Sequence, residues 1–245
     1  MKRIVIFIAV AAAFAGLAPA SNAQMAGDMD RNGSLGNYWS GLYADQAMRM
    51  DWLGSVRARR TGGNATRKRV TAGPSWKLNP ATSSVIRDMV ATVPAADRPA
   101  TRAALVKVMG LYPAIVRAAG QGVGTNLSVT DARDGATIAG VMAYEFLSGT
   151  EVTKAQFAAE RKATNRAYAS DGADRAWRQK GAEMYALASC MMVALKAYSD
   201  DPKNPNPELT RQQLRDLAQK TFRTGYGSDD YTKFAPTSKG IVKVN

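Results

Sequence analysis

The sequence contains no histidine and only one cysteine among its 245 residues. Without histidine, imidazole-based triads and general bases are excluded, and so are most zinc sites. One cysteine cannot form an internal disulfide, so the core has to hold the fold together. This residue, Cys190, lies in the apolar run Ala188–Leu195, which predicts a buried, inert thiol. Ser–Lys pairs and paired carboxylates are the chemistry that remains.

The beginning of the chain contains no acidic residue. Lys2 and Arg3 precede an apolar run from Ile4 to Ala18, and small residues follow as far as Ala23. A basic start, an apolar stretch and a small-residue cleavage site are the parts of a secretory signal peptide. We therefore expect residues 1–23 to be a signal peptide that is cleaved after Ala23, and the rest to be periplasmic or secreted. No later apolar run reaches the roughly 18 residues of a spanning helix, so we expect no integral membrane protein after cleavage.

Positive charge exceeds negative charge in the chain as a whole, with 33 Lys and Arg against 20 Asp and Glu, a net charge of +13. Such a balance favours anionic partners. The most one-sided stretch is the basic segment 57–69, whose cations are Arg57, Arg59, Arg60, Arg67, Lys68 and Arg69. It predicts a solvated linker or a weak polyanion-binding site. No aromatic residues lie between these cations, and the predicted location is outside the cytoplasm, so nucleic acid is the least favoured partner.

Helical patterns dominate from residue 73 onward, and no alternating strand pattern recurs. The sequence predicts one all-α domain over residues 73–245, a bundle of about six helices. Residues 24–72 are predicted to be a poorly structured basic segment with one short helical pattern. Within the domain, the fifth predicted helix, from about Ala173 to Ser199, is apolar almost all round its middle, which predicts a central position.

Several helix ends carry specific signals. Asn79 before Pro80 predicts the cap of the first helix. Thr130 and Asp131 predict the start of the third helix, and Gly149 predicts its end. The glycines at 120, 122 and 124 predict a loop, since glycine disfavours a helix interior. The final segment is predicted to pack through Tyr231, Phe234 and Ile241.

Glu145 is the candidate for chemistry. It falls in the middle of the apolar face of the third helix. A carboxylate that points into a core is costly unless it is paired, and its pKa can rise as in acid catalysts. Arg161, on the inner face of the fourth predicted helix (from about Thr153 to Ser170), is the expected ion-pair partner. Two interpretations stay open, a structural ion pair and a general acid.

Other chemistry has less support in the sequence. Glycan cleavage normally needs a second carboxylate, and nothing singles out one of Asp131, Glu151, Glu160 and Glu183. The sequence suggests no metal site and no cofactor. Three tryptophans, Trp39, Trp52 and Trp76, could contact a carbohydrate or could fix the N-terminal segment to the bundle.

Three motifs occur in a characteristic order: Trp76–Pro80 before an apolar helix, Arg178–Met184 at the start of a long apolar helix, and Gly225-Tyr226 near the end. This order resembles a family of secreted helical proteins of Gram-negative bacteria, a domain of unknown function. The resemblance covers about two thirds of the chain. The resemblance implies a helical fold and transfers no activity, cofactor or catalytic residue.

Three functions follow from the sequence, in order of preference. The first is a non-catalytic binding module of the bacterial envelope or secretome, whose partner is a protein or an anionic envelope polymer. The second is a cell-wall glycan-cleaving enzyme with Glu145 as general acid. The third is a polyanion binder that acts through the basic segment 57–69. The sequence predicts no oligomeric state.

Overall fold

The computed structural model describes residues 75–169, 175–202 and 204–244. The helices are α1 (Ser84–Ala91), α2 (Arg98–Met109), α3 (Tyr112–Val123), α4 (Ala132–Ser148), α5 (Lys154–Ala169), α6 (Arg175–Ser199) and α7 (Pro207–Tyr226), and the strands are β1 (Phe234–Thr237) and β2 (Gly240–Lys243). The predicted all-α bundle is confirmed, with a small hairpin added. The predictions for the signal peptide, Trp39, Trp52 and the basic segment 57–69 lie outside the described residues.

The start of α1 differs from the prediction. Pro80–Thr82 forms a short 3-10 turn, and Asn79 makes no side-chain cap there. The capping residue of α1 is instead Ser83, whose hydroxyl accepts a hydrogen bond from the backbone N–H of Ile86 at 3.3 Å. The helix therefore begins after the Pro80 turn, because Ser83 satisfies an N–H group that has no partner within the helix.

The predicted glycine loop is wrong, because α3 continues through positions 120 and 122 and ends at Gly124. Gly120 and Gly122 are both buried, so packing outweighs the cost of about 1 kcal/mol per glycine in a helix. The prediction for α4 is confirmed at both ends. The Asp131 side chain accepts from Arg133 N, and Gly149 ends the helix in the left-handed conformation.

The centre of the bundle consists of α4 and α6. Side chains are buried along most of α4 and from Ala182 to Val193 in α6, which confirms the predicted central helix. α7 packs against both helices, α5 packs on α4, and α1, α2 and α3 pack on α6. Cys190 is fully buried in α6, and burial raises the pKa of its thiol. The prediction of a buried thiol is therefore confirmed.

The last described residues form the antiparallel hairpin of β1 and β2, which the sequence analysis did not predict. Phe234 pairs with Lys243 and Thr237 with Gly240. Phe234 and Ile241 are buried, as expected, and Tyr231 packs on the core from a partly buried position. The hairpin lies on α5, so a carboxylate of that helix can reach its backbone.

One stretch in the described part of the chain, Ala95–Val123, is long and apolar enough to cross a membrane by length and composition. This differs from the expectation that no such stretch follows the signal peptide. Half of its most apolar window is buried inside the fold. Leu105, Val108 and Met109 are completely buried, as expected of core helices in a globular bundle.

Candidate functional site

Glu145 lies near the C-terminal end of α4, and only 8% of its surface is exposed. Its Oε1 accepts a hydrogen bond from the backbone N–H of Val152 at 2.8 Å. Its Oε2 is buried and has no hydrogen-bond partner among the described residues. One oxygen thus binds the connection between α4 and α5. The other oxygen is buried without a hydrogen bond that would offset its lost hydration.

This environment raises the pKa of Glu145 to about 7. Burial is the largest cause, because the charged form loses its hydration. The hydrogen bond from Val152 partly opposes the rise, and the negative charge of Glu151 adds to it. A position in the last turns of a helix also disfavours an anion, because the unpaired carbonyl groups there carry partial negative charge. The raised pKa expected from the helical pattern is therefore present.

The predicted ion pair between Glu145 and Arg161 is wrong. Arg161 contacts Asp134 instead, with Nε to Oδ1 at 2.6 Å and Nη2 to Oδ2 at 3.1 Å. α4 and α5 are antiparallel neighbours, and Glu145 already lies beside Val152 at the turn between them. Because the two helices run in opposite directions, residues that precede Glu145 in α4 lie beside residues that follow Val152, and Asp134 is therefore level with Arg161. Arg161 is thus separated from Glu145 by about 16 Å along the helix axis.

Asp134 is the buried member of this fork. Its side chain is 1% exposed, whereas that of Arg161 is 30% exposed. Asp134 Oδ2 also accepts from the backbone N–H of Ser128 at 2.8 Å. The pair links α4 to α5 and fixes their register; the predicted arginine is used, but with a different carboxylate.

Glu183 on α6 serves as a second cap for α1. Its Oε2 accepts from the hydroxyls of Ser83 and Ser84 at 2.9 and 3.0 Å, and from the backbone N–H groups of Ser84 and Val85 at 2.9 and 3.2 Å. Its Oε1 accepts from Gln179 Nε2 at 2.8 Å. A carboxylate at a helix N-terminus satisfies unpaired N–H groups and complements their partial positive charge. Both oxygens of Glu183 are thus used in the fold.

Glu160 on α5 holds the hairpin and α7. Its Oε1 accepts from the Tyr226 hydroxyl at 3.1 Å, and its Oε2 accepts from the backbone N–H of Ile241 at 2.6 Å. The adjacent Gly240 has a φ of +106°, and a Cβ there would stand 2.5 Å from Oε2. Only glycine lets the backbone come this close to the carboxylate. Glu160 is therefore a structural clamp on the end of the described chain.

A separate group of polar atoms lies in the core. Trp76 Nε1 and the hydroxyls of Tyr112 and Tyr185 have no hydrogen-bond partner among the described residues. The rings of Trp76 and Tyr112 are 5.8 Å apart. Burial raises the pKa of both phenols, so both stay neutral. Trp76 is 4% exposed, so it packs in the core and is out of reach of a dissolved carbohydrate.

The described residues contain no group of three or more His, Cys, Asp or Glu side chains that could hold a metal ion. Comparison of the chain with protein-family models, with curated proteins and with solved structures finds no match. The resemblance to secreted helical proteins of unknown function therefore stays an expectation.

Sequence reasoning missed the roles of Glu160 and Glu183. The signal that singled out Glu145 also applies to Glu160, because Glu160 shares a helix face with Phe157 and Thr164, and all three are buried. Glu183 precedes the apolar run that predicts the central helix. A search for every acid on an apolar helix face would have identified both residues, but their partners are distant in sequence.

Proposed function

We propose that the chain is an exported, non-catalytic binding module of the bacterial envelope or secretome. One observation carries the proposal, namely that the buried carboxylates of the described fold hold structural contacts. Asp134 binds Arg161, Glu160 binds Ile241 and Glu183 caps α1. Glu145 binds the backbone of Val152 and is itself buried. A general acid has to come within hydrogen-bond reach of the leaving-group oxygen, which an enclosed carboxylate cannot do.

The proposed partner is an anionic polymer of the envelope or an envelope protein. The predicted signal peptide supports an extracytoplasmic location, and the excess of Lys and Arg over Asp and Glu in the rest of the chain supports attraction to anions. A helical bundle with a well-packed core offers fixed outer faces for such contacts. Electrostatic attraction of this kind needs no cofactor and no covalent step.

Co-sedimentation with purified peptidoglycan sacculi and with an acidic polysaccharide tests this proposal. The chain that begins at Gln24 is incubated with each polymer, and both the bound protein and the soluble sugar fragments are measured. We expect binding without release of fragments, and equal binding by Glu145→Gln, because that side chain is enclosed. Release of fragments by the natural chain, lost in Glu145→Gln while the circular dichroism spectrum is unchanged, would contradict the proposal.

A second candidate function, glycan cleavage, is favoured by one specific observation. Glu145 has a pKa of about 7, and the neighbouring Glu151 contributes to that rise through its negative charge. Glycosidases use a carboxyl group with a raised pKa as the acid and a second carboxylate as the nucleophile or base. Under this alternative Glu145 is the acid and Glu151 is the second carboxylate. Glu151→Gln would then also abolish release of fragments, although Glu151 is exposed.

A further inference from the structure

The connection between α4 and α5, residues 149–153, has one buried side chain. Val152 is 2% exposed and belongs to the core, whereas the other four residues are exposed. At the near end of the connection, a Cβ on Gly149 would meet no atom of the described chain within 4 Å. Burial of apolar surface is the main force that holds a segment on a fold, so Val152 keeps the connection in place.

The far end of the connection is anchored separately. Gln156 Oε1 accepts hydrogen bonds from both the backbone N–H and the hydroxyl of Thr153 at 2.9 Å. Gln156 Nε2 donates to the carbonyl oxygen of Pro236 at 2.8 Å, which ties this end to β1. These bonds do not involve Val152, so a movement of Val152 can leave the start of α5 and the hairpin in place.

The carboxyl group of Glu145 lies beneath this connection. Its Oε1 is bound to the N–H of Val152, and its Oε2 is buried without a hydrogen-bond partner among the described residues. A protonated carboxyl group carries no charge, whereas an ionised one needs water or further donors around both oxygens. Outward movement of Val152 would break one hydrogen bond and bring water to the carboxylate. This rearrangement is small, because the residues on both sides of Val152 are already exposed.

The charged groups around Glu145 do not compensate its ionised form. Glu151, in the connection itself, is the charged residue that acts on the pKa of Glu145, and it raises that pKa. No cation of the described residues contributes to this pKa. Charged side chains on the elements that pack against α4 have other neighbours, namely Lys154 beside Gly124, Glu160 at Ile241, Arg161 with Asp134, Lys196 with Asp200, Lys220 near Asp216 and Lys233 with Asp230.

We infer that residues 149–153 form a pH-dependent switch, which is closed while Glu145 is protonated and opens locally at Val152 when Glu145 ionises. This switch is a property of the fold and does not depend on the proposed binding function. In the closed state the pKa of Glu145 is about 7, and in an open, hydrated state it returns to the ordinary value of 4.5. The closed state therefore has its full advantage below about pH 4.5, and opening increases as the pH rises to about 7.

Hydrogen exchange at the Val152 amide, followed by NMR in the chain that begins at Gln24, measures the opening. Rates are recorded between about pH 5 and 8 and at several urea concentrations below the unfolding transition, and they are corrected for the intrinsic effect of pH on exchange. Glu145→Gln removes the ionisable group and keeps the hydrogen-bond acceptor. Glu208→Gln is the matched control, because it removes an exposed glutamate of α7. The amide of Cys190, which is fully buried in α6, reports global unfolding.

From about pH 5 to about pH 8, the opening constant at Val152 should rise roughly 70-fold, as expected for a carboxyl group with a pKa of about 7 when closed and 4.5 when open. Local opening exposes little surface, so exchange at Val152 should hardly depend on urea, whereas exchange at Cys190 should follow the global urea dependence. Glu145→Gln should abolish the pH dependence, and Glu208→Gln should retain it. Val152→Ala should raise the opening constant roughly tenfold at every pH, because less apolar surface holds the connection.

Each part of the inference can be overturned by a separate result. An opening constant that stays the same with pH, or that rises equally in Glu145→Gln, would show that ionisation of Glu145 does not control the opening. Exchange at Val152 with the same urea dependence as at Cys190 would show that the connection opens only when the whole protein unfolds. Equal pH-dependent opening at the Phe157 amide, which donates to the Thr153 carbonyl at 2.8 Å, would show that α5 unravels instead. Unchanged opening in Val152→Ala would exclude Val152 as the residue that keeps the connection closed.

Discussion

Replacement of Glu145 by glutamine should change how the stability of the protein depends on pH. The two side chains have nearly the same shape, and the amide oxygen of glutamine can still accept from Val152 N. The substitution removes the ionisable carboxyl group. In the folded state the pKa of Glu145 is about 7, against an ordinary value of 4.5. The folded state therefore binds a proton more tightly than the unfolded chain.

The direction and size of the effect follow from this difference. A carboxyl group with a raised folded-state pKa gives its full stabilisation below the unfolded pKa of 4.5 and loses it as the pH rises through about 7. The difference of about 2.5 pKa units corresponds to about 3 kcal/mol at 1.36 kcal/mol per unit. The natural protein should lose this amount relative to Glu145→Gln over that pH range. At about pH 8 the variant should be the more stable protein by up to about 3 kcal/mol.

Urea unfolding, followed by circular dichroism at several pH values between about 4.5 and 8, measures this difference. The quantity of interest is the free energy of unfolding of the variant minus that of the natural protein, with equal slopes in urea. Glu151→Gln is the companion variant, because removal of this charge should lower the pKa of Glu145 and flatten the pH dependence slightly. A difference that stays constant with pH, or a variant that loses stability as the pH rises, would refute the assigned environment of Glu145.

Three further substitutions test the other buried carboxylates. Gly240→Ala should lower the free energy of unfolding by about 2–3 kcal/mol, because φ is +106° and the new Cβ would meet Glu160. Hydrogen exchange at the Ile241 amide should become faster, and unchanged exchange would contradict the role of Glu160 as a structural clamp. Glu183→Ala should lower the free energy of unfolding by about 2–3 kcal/mol, because the N–H groups at the start of α1 lose their partner. At low urea, the loss of protection from hydrogen exchange should be confined to that helix. Arg161→Ala should cost about 3 kcal/mol by leaving Asp134 charged, buried and unpaired, whereas retained stability would show that the fork is dispensable.

The positions of most helices could be predicted from local sequence alone. Asp131 and Gly149 mark the ends of α4 because capping and left-handed termination depend on neighbouring residues. The continuation of α3 through Gly120 could not be predicted in this way. Burial against the rest of the bundle stabilises that helix, and a local propensity does not include it. The hairpin was missed for the same reason. Pro236 and the shortness of the strands weaken the strand pattern in the sequence, and packing against α5 stabilises the hairpin in the fold.

The same difference between local patterns and distant contacts applies to the candidate site. Helical periodicity correctly predicted that Glu145 and Arg161 point inward, because a face depends on a spacing of 3.6 residues. It gave the wrong partner, because the relative level of two antiparallel helices depends on the loop between them. Glu145 lies at the turn beside Val152, and Arg161 is level with Asp134. Sequence patterns therefore identify buried charges better than they identify their pairs.

The buried carboxylates of α5 and α6 also bear on the order of folding. Glu183 binds Ser84 over a separation of 99 residues, and Glu160 binds Ile241 over 81 residues. Helical proteins with local contacts fold rapidly, whereas contacts between distant residues require large loops to close first. The two ends of the described chain are therefore expected to attach after the central helices have assembled. Loss of either carboxylate should then accelerate unfolding and leave the rate of folding almost unchanged.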